Sequence, residues 1–362
     1  MNTEQLKNKT LNEKEYTSGQ VKLHSTPPNL IFITSYKCNM KCIFCLGRSN
    51  DPDFNLDIYK NFFANKLTEA IQNADHLYYT GVGEVLLLPE IKEFLDYLNY
   101  STPEGTKVFT TNGTPLNHDL ILKFIEGNYS LQISLHTSNP LAHHLLTQTE
   151  YFGQIVKQIK HLVSLKKERN LSHPWLTLIF VITSLNILNL PDFVDFAGQL
   201  GANAVICHYL TIFKPEHIKI SCFFLKETTS TMFNEAIERA EKYNMQLVLP
   251  PRFGTRENAE PCRDPWDHLL VDALGNILPC CYPNEPIGNL NNNDFMSIWN
   301  GKEYLSLRKS LIEKKPHKRC MNCFKFSPLN IDDIKSHITS RVCQKDILKN
   351  LGLEEKKLRT WA

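Results

Sequence analysis

Three cysteines within eight residues, Cys38, Cys42 and Cys45, constrain this chain more than any other feature. They follow the apolar run Leu30-Ile31-Phe32-Ile33, which is short, bounded by Pro28 and Ser35, and predicts a buried strand. The thiols therefore belong on a loop leaving a strand end, where open α/β folds build their sites. Three soft thiolates suit iron–sulfur or zinc chemistry. A closed structural zinc site needs a fourth cysteine or histidine at finger-like spacing. None follows before His76, which leaves three local ligands and one open metal position.

A chain of 362 residues has room for one large domain and a smaller one. Lys+Arg 40 against Asp+Glu 38 leaves a net charge of +2, so overall charge draws neither nucleic acid nor an anionic membrane. No apolar run approaches the ~20 residues of a membrane helix. The polar start MNTEQLKNKTLNEKEYTSGQ lacks the apolar core of a signal peptide. A cytoplasmic location is expected, with no membrane or nucleic-acid partner. Eleven cysteines in a reducing compartment then point to metal rather than disulfides. They fall into two groups, 38–45 and 262–323, while Cys207, Cys222 and Cys343 stand alone as small hydrophobes.

Residues 1–26 show no sustained apolar periodicity and read as a flexible N-terminal arm. From Pro27 the pattern alternates. Strands are predicted at 29–34, 76–80, 107–111, 131–135, 176–182 and 204–209, with amphipathic helices near 57–73, 89–100, 117–127, 151–168, 190–200 and 229–243. Six strands alternating with helices predict parallel βαβ units, an α/β core over 27–245 built as an open partial (β/α)6 barrel. Polar groups gather at the strand ends: Tyr79-Thr80-Gly81-Val82-Gly83-Glu84, Thr110-Thr111-Asn112-Gly113 and Ile133-Ser134-Leu135-His136. A glycine turn lets backbone approach a ligand closely, and a glutamate beside it can accept from an ammonium group. His136 is open to two readings, facing a substrate or serving as hydrogen-bonded structure. His143, His144 and His161 read as solvated helix surface.

Pro250-Pro251 marks a boundary, with a second domain over 246–330 and a helical tail over 331–362. Residues 268–279 read as a hairpin with Gly275 at its tight turn. Such a hairpin brings Cys262 and Cys280 together, and the turn Cys320-x2-Cys323 can close a four-thiolate site. Zinc fits four such thiolates as well as iron–sulfur does.

Cys38-x3-Cys42-x2-Cys45, with Phe44 before the last cysteine, resembles the signature of the radical S-adenosylmethionine (SAM) superfamily. The resemblance implies that the three thiolates hold three irons of a [4Fe–4S] cluster whose fourth iron chelates SAM. Reductive cleavage then yields methionine and a 5′-deoxyadenosyl radical that abstracts hydrogen from the substrate. It implies an external electron donor such as flavodoxin or ferredoxin. Gly83-Glu84 matches part of the family's Gly-Gly-Glu-Pro motif for the SAM amino group, with Val82 and Val85 departing from it. By the same resemblance Phe44, Asn112, Ser134 and Asn186 are candidate SAM contacts.

The second block, Cys262-x12-Gly275-x4-Cys280 with Pro279-Cys280-Cys281-Tyr282, Ile287-Gly288-Asn289-Leu290 and Ile298-Trp299, resembles the auxiliary-cluster domain of the SPASM and twitch branches. Leu329 and Asp333 stand where a full SPASM domain continues with cysteines. The remaining set, Cys262, Cys280, Cys320 and Cys323, implies the shorter twitch arrangement with one auxiliary [4Fe–4S] cluster, Cys281 being the alternative to Cys280. Relatives in these branches modify peptides, mature sulfatases or oxidise small alcohols. Oxidative modification of a peptide or protein side chain is expected here, ahead of a dehydrogenase or epimerase acting on a small sugar-like or alcohol substrate. The epimerase reading needs a hydrogen donor, and Cys207 and Cys222 are its candidates. A non-enzymatic scaffold or electron carrier needs no SAM site, and Gly83-Glu84 and Ser134 speak against it. Cys38 leaves no room ahead of it for a leader-binding domain, so leader recognition is expected from another protein or surface.

Overall fold

The computed structural model describes residues 2–45, 47, 52–102, 105–212, 216–253, 262–281, 285–315 and 317–320. After helix α1 (Thr3–Thr17), strand β1 (Asn29–Ser35) is followed by α2 (Leu56–Asn61) and α3 (Thr68–Asn73). Then come β2 (His76–Gly81), α4 (Ile91–Ser101), β3 (Thr106–Thr111), α5 (His118–Ile125) and β4 (Tyr129–Ser134). Helices α6 (Pro140–Thr147) and α7 (Phe152–Glu168) lead to β5 (Trp175–Ile182), α8 (Leu190–Leu200) and β6 (Ala204–Tyr209). Helices α9 (Glu216–Lys219) and α10 (Lys226–Lys242) precede β7 (Gln246–Val248). The chain continues through α11 (Asp264–Asp267), β8 (His268–Asp272), β9 (Asn276–Leu278), β10 (Gly288–Asn289), α12 (Phe295–Trp299) and α13 (Lys302–Ile312).

The strands form one sheet in the order β10-β9-β8-β1-β2-β3-β4-β5-β6-β7. From β8 to β7 every pairing is parallel, as the alternation of strands and helices requires. Paired residues in parallel strands share a face, so register sorts the side chains into two sets. One set, including Leu30, Phe32, Tyr79, Phe109, Leu131, Leu178, Phe180, Val205 and Val271, belongs to the main buried core. Helices cover this face: Tyr79 meets Phe94 of α4, Phe109 meets Phe124 of α5, and Phe180 meets Phe193 of α8. The other set includes the half-exposed Tyr78, Thr80, Thr110, Gln132, Ser134 and Ile206 beside the buried Val108, Thr177 and Ile179. That alternation is plain in β4, where Tyr129, Leu131 and Ile133 are buried and Ser130, Gln132 and Ser134 are not.

Three expectations change. Residues 1–26 are not a flexible arm, because α1 docks through a polar stripe. Gln5 donates to the Ala74 carbonyl at 2.8 Å, and Asn8 exchanges bonds with the Thr26 backbone at 2.9 and 3.0 Å. Asn12 donates to the Trp266 carbonyl at 2.8 Å, and Glu15 accepts from His24 N–H and from the Ser25 hydroxyl. Buried amides and a carboxylate are tolerated there because backbone groups before β1, β2 and β8 satisfy them. Second, Gln246–Val248 pairs with β6 and so extends the core sheet rather than opening the second domain at 246. Third, His143 is buried, although His144 beside it is exposed. The helical tail expected over 331–362 lies outside the described residues.

Candidate functional site

The turn 38–45 leaves the C-terminal end of β1 and is pinned by backbone bonds on two sides and by the Asp53 carboxylate on a third. From the β2 turn, Gly83 N–H donates to the Ser35 carbonyl at 2.8 Å and Glu84 N–H to the Lys37 carbonyl at 2.7 Å. Lys41 N–H and Ile43 N–H donate to the carbonyls of Thr147 and Leu146, at the end of α6, at 3.1 and 3.0 Å. Asp53 accepts from Tyr36 N–H at 2.7 Å. The Leu146 and Thr147 carbonyls close α6 without partners inside the helix, so the turn satisfies them.

All three cysteines are half-buried, and N–H donors point at the sulfurs of Cys38 and Cys45. Met40 N–H and the Asn112 side-chain amide point at Cys38 Sγ at 3.4 and 3.7 Å, and Gly47 N–H points at Cys45 Sγ at 3.4 Å. Burial pushes the Cys38 thiol up, Met40 N–H opposes this, the Glu84 charge adds to it, and Asn112 opposes it again. Among the described residues no three Cys, His, Asp or Glu side chains meet at one point as a metal site. The fit to an iron–sulfur cluster therefore rests on the donor set: three thiols on one turn, with amide N–H donors of the kind that tune cluster sulfurs.

Gly83 and Glu84 are engaged with the chain's own backbone and side chains. A Cβ at Gly83 would lie 2.2 Å from the Lys37 carbonyl oxygen, so glycine is needed for approach to the chain's own backbone beneath Cys38. The Glu84 side chain is turned inward and is only 1% exposed. It accepts from the Thr111 hydroxyl and Asn112 N–H, both at 2.5 Å, and from Leu86 N–H at 3.0 Å. Burial raises its carboxyl to about 7 against the pull of these three donors. Asn112 is also engaged: its amide reaches Asn39 as well as Cys38, and its oxygen accepts from Thr114. Together these residues tie the ends of β1, β2 and β3 under the cysteine turn.

A second group gathers at the ends of β4 and β5. Phe44 meets the His136 ring edge-on, with centroids 4.9 Å apart. His136 has a left-handed backbone (φ 65), and Asn186 holds its carbonyl at 3.0 Å. Asn186 is buried, and it also bonds Thr183 and Val181, so its amide serves the fold rather than an open ligand face. Val181 N–H donates to His136 Nδ1 at 3.1 Å, and burial with help from His143 lowers this imidazole to about 3. Ser134 lies on the half-exposed face, and its hydroxyl bonds to no described residue.

Cys207 and Cys222 do not reach that face. Cys207 pairs in register with Phe180 of the helix-side core, and Cys222 lies in the same core. Burial pushes both thiols up to about 12. The neighbouring His208 is the residue that register puts on the half-exposed face, level with Val181 and exposed. Strict alternation through β6 was the signal for His208. The clamps from Thr111, Leu146 and Thr147 had no such signal, because they depend on which strand ends become neighbours.

The second cysteine group is arranged around the expected hairpin. Gly275 takes φ 77 at its turn, and β8 pairs antiparallel with β9. Cys262 precedes α11 and β8, and Cys280 follows β9, so both flank the same end of the hairpin. That end is level with Asn29, at the start of β1, because Asn29 pairs with His268. The cysteine turn leaves the opposite end of β1, roughly 20 Å away at ~3.3 Å per residue. Cys320 N–H donates to the His317 carbonyl at 2.8 Å, and neighbouring Arg319 reaches the Glu285 carbonyl at 2.6 Å. Cys281 is exposed, and Cys323 lies outside the described residues.

Comparison with known proteins matches residues 32–197 to the radical SAM superfamily model and residues 262–324 to the SPASM iron–sulfur cluster-binding domain. The chain is 24% identical over 312 residues to the tungsten-containing aldehyde ferredoxin oxidoreductase cofactor-modifying protein of Pyrococcus furiosus, covering 80% of this chain and 85% of that one. It is 20% identical to the mycofactocin maturase MftC of Mycobacterium tuberculosis, covering 82% and 75%. The structure of Streptococcus suis SuiB bound to precursor peptide SuiA superposes with a TM-score of 0.64 at 16% identity, over 84% of this chain and 71% of that one. The two domain matches imply a [4Fe–4S] cluster with SAM and auxiliary iron–sulfur ligation, and they coincide with the two cysteine groups. Among the described residues no helix is long and apolar enough to cross a membrane.

Proposed function

We propose that this chain, which belongs to the radical SAM superfamily and carries a C-terminal SPASM iron–sulfur domain, oxidises a side chain of a peptide or protein. Cys38, Cys42 and Cys45 would hold the SAM-binding cluster, and Cys262, Cys280, Cys320 and Cys323 an auxiliary one. When bound, the first cluster supplies the electron that cleaves SAM and so generates the hydrogen-abstracting radical. The chain's own residues do the rest. Gly83, Glu84, Leu146 and Thr147 fix the cysteine turn, and Asn112 gives an amide donor to Cys38. The half-exposed face from Tyr78 to His208 offers the substrate a surface beside that turn, apart from the helix-covered core.

The peptide reading draws on the maturase name of one relative and the precursor peptide bound to another. The oxidative reading is carried by one observation: Cys207 and Cys222 lie in the helix-side core. Neither is placed to return a hydrogen atom, which a redox-neutral epimerisation requires. In an oxidation, the substrate gives one hydrogen atom to the radical and one proton to solvent, and the auxiliary cluster that Cys262, Cys280, Cys320 and Cys323 would hold would supply an acceptor for the remaining electron. An external carrier such as flavodoxin or ferredoxin would be the donor that reduces the SAM-binding cluster.

Anaerobically reconstituted, reduced protein should release 5′-deoxyadenosine and methionine from SAM. With a peptide encoded beside its gene as substrate, the product should be two hydrogens lighter. A product of unchanged mass in H₂O that gains one deuterium when the reaction is run in D₂O would rule out the oxidation.

A further inference from the structure

We propose that His136 is a positioning residue for SAM, a neutral imidazole locked in one tautomer that gives a fixed Nε2–H hydrogen bond to an acceptor atom of SAM seated on the cysteine turn. The proposal rests on the radical SAM reading above.

The lock is built from three bonds. His136 N–H donates to the Ile179 carbonyl at 3.3 Å, its own carbonyl accepts from Asn186 at 3.0 Å, and its Nδ1 accepts from Val181 N–H at 3.1 Å. They hold the residue at φ 65, a left-handed conformation uncommon outside glycine, and such outliers gather at functional sites. A backbone N–H can only donate, so Nδ1 must carry the lone pair and the ring proton rests on Nε2. Adding a second proton would set two N–H groups against each other in a site only 4% exposed. Burial, with His143 acting in the same direction, keeps the ring neutral at working pH. With Nδ1 bonded and Nε2 already protonated, the ring has no site for general-base work. What remains is a donor.

Its direction follows from what surrounds it. No described residue accepts from His136 Nε2. Nor is that atom among the sealed, unpartnered side-chain atoms, whereas Nε2 of nearby His143 is. The ring lies against Phe44, between Cys42 and Cys45, so a molecule seated on the turn sits beside it. SAM offers acceptors in its carboxylate, ribose and adenine, and it carries a sulfonium charge. A neutral donor suits such a cation, where an imidazolium would repel it.

The test uses reconstituted holoprotein with matched iron content and measures SAM dissociation by equilibrium dialysis at pH 6, 7 and 8. His136→Leu should raise Kd about tenfold (~1.4 kcal/mol). His136→Gln, which keeps a neutral N–H donor, should stay within about threefold of wild type. The wild-type Kd should not vary across this range. A His136→Leu protein that binds SAM as tightly as wild type overturns the proposal. So does a wild-type pH dependence that disappears in His136→Gln. If His136→Leu does not fold, nitrogen-15 NMR of histidine-labelled wild type decides: an Nε2–H tautomer unchanged from pH 6 to 8 supports the lock, and an Nδ1–H tautomer refutes it. Wild-type protein with a full cluster that binds no SAM would instead bring down the radical SAM reading, and this proposal with it.

Discussion

The Thr111 hydroxyl donates to the Glu84 carboxylate at 2.5 Å, and the backbone N–H of Asn112, the next residue, donates to the other carboxylate oxygen. Since the Asn112 side chain reaches Cys38, this carboxylate braces the end of β3 against the cysteine turn. Removing it in Glu84→Ala leaves three donors, two of them buried, without their acceptor. We expect a loss of about 3–5 kcal/mol in urea unfolding, with lower iron content after reconstitution. Unchanged stability with weakened SAM binding would mean that Glu84 acts on the ligand directly.

Two glycines should respond in opposite directions. Gly83→Ala drives a Cβ to 2.2 Å from backbone at Lys37, so we expect more than about 2 kcal/mol of destabilisation and poor cluster retention. Gly153, in the first turn of α7, has nothing within 4 Å of its Cβ position. Gly153→Ala should be neutral or stabilising by up to about 1 kcal/mol. Thermal melts of the two variants side by side check both.

Iron content separates the two cysteine groups. Wild type should bind about eight irons, and replacing Cys38, Cys42 and Cys45 together should halve this. Replacing Cys262, Cys280, Cys320 and Cys323 should halve it as well while leaving SAM cleavage intact. Stoichiometric zinc with only about four irons in freshly purified protein would assign the second group to zinc.

Burial sets a sign for the acid response. The His136 imidazole is lowered to about 3 in the folded protein, against an ordinary value of 6.5. As pH falls from about 6.5 toward 3, the unfolded chain takes up a proton that the folded chain refuses, so stability is complete above 6.5 and declines below it. Between pH 7.5 and 5.5, His136→Gln should therefore lose less stability than wild type. Equal losses in denaturant titrations would show that His136 does not contribute.

Helix α1 provides a test of its polar docking. Asn8→Ala removes both bonds to the Thr26 backbone and should cost about 1–3 kcal/mol. Leu6→Ala, at a side chain 52% exposed, should change stability by less than about 0.5 kcal/mol. Equal effects of the two would mean the helix is not held through its polar stripe.

The six core strands and the hairpin at Gly275 were legible in the sequence because apolar periodicity and turn residues are local signals. So were the two cysteine groups, whose spacing carries their chemistry. Helix α1 was not legible: its buried positions 5, 8, 12 and 15 are Gln, Asn, Asn and Glu, so no apolar stripe announces it. Their burial is stable only against backbone groups that come from 24–26, 74 and 266. The sequence by itself determined the strands, the thiols and the glycines. The tertiary structure decided that Glu84 turns inward, that Gly83 accommodates Lys37, that Cys207 faces helices while His208 does not, and that His136 is locked by Val181 and Asn186. Each of those outcomes depends on which strand ends become neighbours, and parallel strands acquire their neighbours only through crossovers that local patterns do not encode.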